Sequence, residues 1–586
     1  MKTLKLFNAV LAKDSKKSPH VFEEDGYIIT PEALWCKDDI ISYYKRKSLN
    51  GDALNLSFYK SWEKVRNSSR YELYLDQIKH YMSTYGSDFK DEIYIPEGVI
   101  DVPDVKIVFK VIKAYTKEEM TEKCLDLLRS GIALKEETLD DILFVLVDTL
   151  DYTFTGEEGV RNKEATVKIA DTYGVIPKDM MEFFRYVIYR STGETLIIKN
   201  SQAIDAIKES SFNPGALFKE FGLSELAKIF NRFKPLFLAY KSKCPKIINK
   251  ISKLSKSAHE PMVQNPLNTV TSVTLTKDDT HWLENATTFA LFKALSACYS
   301  RINGQDNFLY LIRNGKSYAK KGSSKSVTVL NNYVFILDFL KSKHDFSKTS
   351  VFLPKNVSFA LPTSEKLYVG NFPTGTKFSG SKLAVGVYWE NSWGADDLDL
   401  SGLNIGGKIG WNSSYTSGNL TYSGDLTSAP KGAVEYLHAD SGLGTPTLVM
   451  NNVYSGNNDC GYKIIVGAGS DISRKYMMDP NNLQADIKCQ SVQSNTILGI
   501  FLPEEKAGKD QSFVLLNVGA GNARVSGNSE SSDIATTALY QQWNNALSLN
   551  EVLKHLGATV VADPEKADHN LSLEVLEKDS ILKIFK

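Results

Sequence analysis

The sequence predicts a multidomain α+β protein with a helical N-terminal region, a mixed middle module and a C-terminal β-sandwich. The chain has 586 residues, more than one hydrophobic core normally serves. Apolar residues recur at helical spacing before residue 260, whereas short alternating runs separated by Gly, Ser and Asn follow Pro354. The predicted domains are 1–260, 261–354, 355–545 and a short α/β tail, 546–586.

The composition narrows the range of functions. Apolar residues make up 42% of the chain, which favours packed cores over disorder. Lys+Arg and Asp+Glu both number 69, so no overall charge attracts nucleic acid or a membrane. No apolar run approaches the roughly 20 residues of a membrane span. The run Leu6–Ala12 favours an ordinary first helix or strand over a secretory signal, and scattered cysteines suit a reducing compartment, so we expect a cytoplasmic protein.

Helix signals recur along residues 1–260, the region expected to bind an unidentified protein partner. Thr116 and Glu119 have the spacing of a capping box at the start of one helix. Thr138 and Asp141 predict the start of a second helix, whose nearly continuous apolar surface indicates burial in a bundle. Further helices are predicted over 71–85, 177–189 and 223–241, the last interrupted at Pro235.

A basic stretch ends this region. Residues 228–256 contain nine basic residues, and no acid stands between Leu226 and His259. Three of the lysines share one face of a predicted amphipathic helix: Lys246, Lys250 and Lys253. Such a face can contact phosphates, so weak nucleic-acid binding is one interpretation, and an ordinary solvated helix surface is the other. The aromatic residues just upstream are typical of a core rather than of base-stacking platforms.

The remaining elements are shorter and of mixed type. A helix over 284–299 and a strand over 308–313 are predicted in the middle module. Beyond residue 354, alternating runs predict strands, and a helix with two short strands closes the chain. The clearest of these segments are Leu383–Trp389, Lys463–Val466, Phe513–Val518 and the helix Leu549–Leu556.

The most informative segment is the acidic strand Asp397-Leu-Asp-Leu-Ser401. In a β-strand, this alternation places the carboxylates of Asp397 and Asp399 on one side. The two carboxylates repel each other unless a cation lies between them, and calcium takes six to eight oxygen ligands. A solvated turn before a half-buried strand would account for the same residues, so the local sequence leaves both interpretations open.

Motifs between residues 383 and 518 also follow one another in a specific order. They are Val385–Trp389, Asp397–Ser401, Gly407–Ile409, Ser423–Asp425, Asn457–Ile465 and Phe513–Val518. In this order they resemble the TerD-type family, the stress-response domain known from tellurium-resistance operons. The resemblance covers residues 355–545, about a third of the chain.

The resemblance implies that acidic loops hold calcium, Ca2+, at one end of a β-sandwich. Carried over position by position, it implies metal ligands at Asp397, Asp399, Asp425, Asn457 and Asp459. Family members usually carry a dense acidic run after Ser-Gly-Asp, whereas this chain has Leu426–Gly432 with Lys431 inside it. The resemblance therefore does not extend to a second calcium site.

No pattern of catalytic residues stands out. G-x-S-x-G and H-E-x-x-H are missing from the sequence, and its eight histidines are dispersed. We therefore expect a non-enzymatic, calcium-binding interaction or scaffold protein of a bacterial or phage stress-response system. Two alternatives stay open: a nucleic-acid-binding helical protein that uses residues 228–256, and a virion or assembly structural protein.

Overall fold

The computed structural model describes residues 2–13, 22–24, 27–45, 110–303, 307–311, 317–321, 326–468, 478, 482–491, 493–503, 510–521, 542–544 and 546–586. These residues form a mixed α+β structure of helices and several antiparallel sheets. None of their helices is long and apolar enough to cross a membrane. The chain forms two compact units, residues 3–115 with 270–585, and residues 116–269. The helix predicted over 71–85 lies outside the described residues.

The unit of residues 116–269 is helical. Its helices are Lys117–Arg129, Glu136–Phe144, Lys163–Tyr173, Met180–Thr192, Ser201–Glu209, Gly215–Phe221, Leu223–Phe230, Lys234–Ala239 and Pro245–Ala258. The helix predicted over 223–241 is interrupted as expected, but the break precedes Pro235: one helix ends at Phe230, and the next begins at Lys234 with Pro235 in its first turn. Aromatic side chains dominate the core, and the rings of Phe184 and Phe237 stack with centroids 4.3 Å apart.

One of the two predicted helix starts is confirmed. The backbone N–H of Glu119 donates to the Thr116 hydroxyl at 3.2 Å, and the Glu119 carboxylate accepts from the Thr116 N–H at 2.8 Å. The start predicted at Thr138 is wrong, since that helix begins at Glu136. Thr138 and Asp141 are buried within the helix, and the Asp141 carboxylate pairs with the Lys2 ammonium at 3.0 Å.

The first 115 residues are not purely helical. Besides the helices Lys2–Phe7 and Lys37–Lys45, this segment contains the strands β1 (Ala9–Leu11), β2 (Phe22–Glu24), β3 (Tyr27–Ile29) and β4 (Lys110–Tyr115). These four strands form a mixed sheet in the order β1-β4-β3-β2. Strands of three to six residues are too short to produce a periodic sequence signal. This segment belongs to the same compact unit as the C-terminal strands, not to the helical unit.

From residue 270, the chain continues the compact unit that also contains the N-terminal strands. Its helices are Thr280–Asn285, Thr288–Ile302 and Ser326–Lys343. A hairpin lies between the last two, with β5 (Asn307–Leu311) antiparallel to β6 (Ser317–Lys321). Strand β7 (Ser350–Phe352) then leads into the C-terminal strands.

Two antiparallel sheets form what we call the two-sheet region, residues 357–521. Its strands are β8 (Val357–Ser358), β9 (Tyr368–Val369), β10 (Phe372–Pro373), β11 (Lys377–Gly380), β12 (Leu383–Trp389), β13 (Ala395–Asn404), β14 (Gly407–Gly410), β15 (Thr416–Ser417), β16 (Leu420–Tyr422), β17 (Ala433–Ala439), β18 (Thr447–Gly456), β19 (Gly461–Gly467), β20 (Leu483–Gln490), β21 (Asn495–Leu502) and β22 (Gln511–Gly521). One sheet has the order β14-β13-β18-β21-β22-β11-β8, the other β15-β16-β17-β12-β19-β20. Strands β9 and β10 pair separately.

The strands of the C-terminal tail pair with a strand from the middle of the chain. After the helix Leu549–Leu556, which is confirmed as predicted, β23 (Thr559–Val561) and β24 (His569–Asn570) both run parallel to β7. A last helix spans Ser580–Lys583. The strand pairing thus joins segments that the sequence analysis assigns to separate modules, 261–354 and 546–586.

The six-stranded sheet is covered on both faces. On one face, Leu437 of β17 lies over β13, so close that a Cβ atom at Gly402 would be 3.3 Å from its Cδ1 atom. The other face shares a hydrophobic cluster with the first 115 residues, formed by Ala384, Tyr388, Val434, Tyr436 and Ile465 with Tyr27, Ile29, Ile40 and Ile112. Because both faces are covered, every residue of β12 is buried, which explains its continuous apolar run.

We expect Ile29→Ala to lower the free energy of unfolding by about 2–5 kcal/mol, because it opens a cavity in this shared cluster. Ile29 is fully buried, whereas Val327 of the same unit is 72% exposed, so Val327→Ala is a matched control with little effect. Denaturant unfolding of both variants measures the difference. Equal midpoints for Ile29→Ala and the wild type would contradict packing of the N-terminal strands on the sheet.

Candidate metal centre

The first part of β13, which contains Asp397 and Asp399, pairs with a neighbouring strand along one edge only. It pairs with β18 from Ala395 to Leu403, but β14 reaches no further along it than Ser401. The pairing with β18 is bulged between Ala395 and Leu398, which increases the local twist. Asp397 and Asp399 lie in this part of the strand, where a loop rather than a strand can approach its other edge.

The loop Ser423-Gly-Asp425 makes that approach. The N–H of Ser423 donates to the carbonyl of Tyr436 at 2.9 Å, and the Ser423 hydroxyl accepts from the Tyr436 N–H at 2.8 Å. These bonds anchor the loop to β17. Gly424 then adopts a φ of 105°, a conformation that glycine tolerates and L side chains rarely adopt. The turn directs Asp425 toward β13.

Three carboxylates converge as a result. Asp397, Asp399 and Asp425 are each at most 2% exposed, and one oxygen of each lies within 4.8 Å of the others. A point at the centre of these three oxygens lies roughly 2.8 Å or less from each of them, close to the 2.3–2.6 Å of calcium–oxygen bonds. The cluster offers only oxygen, with neither His nor Cys, which suits a hard cation such as calcium.

A fourth carboxylate, Glu435 of β17, is fully buried beside this cluster. Its Oε2 accepts from the Leu400 N–H at 2.8 Å and from the Tyr422 hydroxyl at 2.7 Å. Its Oε1 accepts from the Leu426 N–H at 2.8 Å. Glu435 therefore ties β13 and the Ser-Gly-Asp loop together. No motif marks this residue, but a glutamate inside the apolar strand Ala433–Ala439 is the signal that could have found it.

The cluster carries an excess of negative charge. Burial and, second, the charge of Asp425 raise the pKa of Asp399 to about 7. A hydrogen bond from the Asn452 amide, at 3.2 Å, lowers this pKa but does not outweigh them. Burial and the charges of Asp425 and Asp399 hold the pKa of Glu435 well above its usual range. A bound cation would favour the charged forms of all these groups.

Lys408 of β14 is the protein's own cation near the site. Burial holds the pKa of Lys408 below its usual value, although the charges of Asp399, Asp425 and Glu435 oppose this shift. Its Nζ donates to the Asn412 side-chain oxygen at 2.6 Å and lies 5.1 Å from the centre of the Trp411 ring. Among the described residues, Lys408 has no carboxylate within 4.0 Å, so it moderates the negative charge from a distance.

The structure does not bring the other predicted ligands into the cluster. Asn457 and Asp459 lie in an exposed turn between β18 and β19. The Asn457 N–H donates to the Gly394 carbonyl at 2.8 Å, and the Asp459 carbonyl accepts from the Gln490 amide at 3.0 Å. These contacts shape the turn, and the Asp459 carboxylate is not among the three that converge.

The predicted basic residues lie in the helical unit. Lys246, Lys250 and Lys253 are all exposed on the helix Pro245–Ala258. The aromatic residues upstream, including Phe237 and Tyr240, are fully buried, as their prediction as core requires.

Comparisons of the chain with protein-family models, with curated proteins and with solved structures found no match. The geometry of the carboxylate cluster is therefore the basis for assigning a function.

We expect the metal-free protein to lose stability as the pH rises from about 4 to about 7. In this range unfolded Asp399 has lost its proton, since its ordinary pKa is about 3.9, whereas the folded form with its pKa of about 7 retains it. Thermal melts in excess chelator, at about pH 5.5 and 7.5, measure the loss. A cation such as calcium would bind the ionised carboxylates, so it should raise the melting temperature more at the higher pH.

The variant Asp399→Asn is the control for pH effects elsewhere in the molecule, and in chelator its melting temperature should depend less on pH. A calcium-induced shift of the wild type that is the same at both pH values would contradict this account of Asp399.

Proposed function

We propose that the two-sheet region is a calcium-binding β-sandwich of the TerD type. The protein would then be a non-enzymatic interaction or scaffold protein of a bacterial or phage stress-response system. One observation carries the proposal: Asp397, Asp399 and Asp425, from two separate motifs of the resemblance, place buried oxygens within 4.8 Å of one another.

Burial is what distinguishes this arrangement from a solvated acidic turn. A solvated turn would leave its carboxylates in water, as Asp396 of the same strand is left. Asp397 and Asp399 are instead 2% exposed. Removing a carboxylate from water is costly unless the charge is compensated, and three of them together raise that cost through mutual repulsion. A cation at their centre supplies the compensation.

Calcium fits this site better than other biological cations. Zinc and most transition metals other than manganese favour nitrogen or sulfur ligands, which the cluster lacks. Magnesium demands nearly ideal octahedral geometry, whereas calcium accepts irregular sets of six to eight oxygens. Backbone carbonyls and water would complete the set around the three carboxylates. Bound calcium would also link β13 to the Ser-Gly-Asp loop, so the rigidity of this surface, and any partner bound there, would depend on the ion.

We expect the full-length protein to bind calcium, and each of Asp397→Asn, Asp399→Asn and Asp425→Asn to weaken binding about tenfold or more. Each change removes one ligand charge, and affinity depends on the number of charged ligands. Asp396→Asn and Asp459→Asn are matched controls, because these aspartates are exposed and lie outside the cluster. Isothermal titration calorimetry gives the affinities, and melting curves show that each variant folds.

Wild-type protein that shows neither binding heat nor a calcium-dependent melting temperature would refute the proposal. Equal weakening by Asp396→Asn and Asp397→Asn would show that overall charge, not the cluster, determines calcium affinity.

We expect Lys408→Met to strengthen calcium binding several-fold. Its ammonium group repels a cation at the cluster, and two unit charges about 4 Å apart interact by about 1 kcal/mol even in bulk water, which is enough for a several-fold change in affinity. Methionine retains the aliphatic contacts without the charge. Lys382→Met is the control, because Lys382 pairs with Asp440 at 3.6 Å, outside the cluster. Unchanged affinity in Lys408→Met would exclude an electrostatic role for this lysine.

A further inference from the structure

The helix Pro245–Ala258 has two unlike sides. Its apolar side packs in the core of the helical unit, where Ile248 and Ile251 are fully buried. Lysines are exposed on the other side. Lys246, Lys250 and Lys253 follow at spacings of four and three residues, so they form one row about 10 Å long, and Lys256 extends it by nearly a turn. We call these four residues the lysine row.

The protein itself does not neutralise the lysine row. Within the described parts of the chain, none of its four lysines has a carboxylate within 4.0 Å. Lys228 of the same unit differs, since it lies 3.0 Å from Glu225 and 3.7 Å from Glu260. The first turn of the helix has no acidic residue, although a carboxylate there would stabilise it. Helix stability therefore does not explain a lysine at position 246.

We propose that the lysine row binds the phosphate backbone of double-stranded nucleic acid, a function separate from the calcium site. A duplex carries one negative charge per roughly 1.7 Å of axis, so a row of this length faces several phosphates. Apart from Pro245 at its start, the exposed residues of the helix are lysine, asparagine and serine, at positions 246, 249, 250, 253, 256 and 257. Contacts made by such a surface go mainly to phosphates, so binding would be independent of sequence.

The same surface disfavours other polyanions. A helix that lies on a membrane inserts an exposed apolar face, and here that face is buried in the core. Single strands bind best where bases stack on exposed aromatic rings, whereas Phe230, Phe237 and Tyr240 are buried. A regular duplex backbone requires neither feature. DNA and RNA duplexes share this backbone, so the test includes both.

The test measures binding of the full-length protein to labelled DNA and RNA duplexes of one sequence by fluorescence anisotropy, with calcium and with chelator. Each contacted phosphate contributes about −0.9 to the slope of log affinity against log salt, so four contacts weaken binding roughly 100-fold between 50 and 200 mM salt. The triple change Lys246→Gln, Lys250→Gln and Lys253→Gln should weaken binding at the lower salt at least tenfold and flatten the slope by about 2.7.

A matched triple change to Gln at Lys117, Lys178 and Lys208 removes the same charge from exposed lysines that each pair with an acid. This control should leave binding nearly unchanged. If the first triple variant melts at a lower temperature than the wild type, the single change Lys250→Gln decides, with an expected slope change of about 0.9.

The proposal is overturned if the wild type binds neither duplex at low salt, or if both triple variants weaken binding equally. It is also overturned if anionic vesicles, but not duplexes, depend on the lysine row. Binding of either duplex that only the lysine row controls supports it. The ratio of wild-type to triple-variant affinity should be the same with calcium as with chelator, because any competition of calcium for the phosphates acts on both proteins.

Discussion

The buried carboxylate of Glu435 is the constraint on which the arrangement around the candidate metal centre depends. Its oxygens accept hydrogen bonds from Leu400 of β13, from Tyr422 of β16 and from Leu426 beyond the Ser-Gly-Asp loop. Without this acceptor, three buried donors would lose their partner, at a cost of about 1–3 kcal/mol each. Because the bonds hold β13 and the loop together, the aspartates that these two segments carry cannot separate to relieve their repulsion, so either protonation or a bound cation would reduce it.

Strand β17 connects this site to the first 115 residues. Alternate residues of a strand face opposite sides, so Glu435 faces the metal centre while Val434 and Tyr436 join the cluster shared with the N-terminal segment. Tyr436 also anchors the loop through its backbone and packs its ring against β12, where a Cβ atom at Gly386 would lie 2.5 Å from it. The N-terminal strands thus pack behind the candidate metal centre, although they contribute none of its three carboxylates.

The placement of Asp397 and Asp399 on one side of a strand follows from their alternation in the sequence. Asp425 is predicted only through the resemblance to the TerD-type family, because its approach to β13 depends on how the loop folds back. Glu435 could not be assigned in the same way, because its role depends on donors from three separate segments. Asn457 and Asp459 were placed by motif order, whereas the turn that holds them points into solvent. The mixed N-terminal sheet escaped prediction because its strands are short and their partners are distant in sequence.

A net charge of zero conceals two unlike electrostatic features. The carboxylates at the metal centre are buried, so desolvation and proximity dominate their behaviour, and protons or a cation act on them. The lysine row is exposed, so its field reaches about 10 Å into the solvent at moderate ionic strength, and salt weakens it. Exposed charges separated by more than this screening length act largely independently, so a net charge of zero does not by itself cancel the local field of the lysine row. If both proposals hold, this neutral chain combines a cation site in one unit with an anion-binding surface in the other; pH and calcium concentration would control the first, and salt concentration the second.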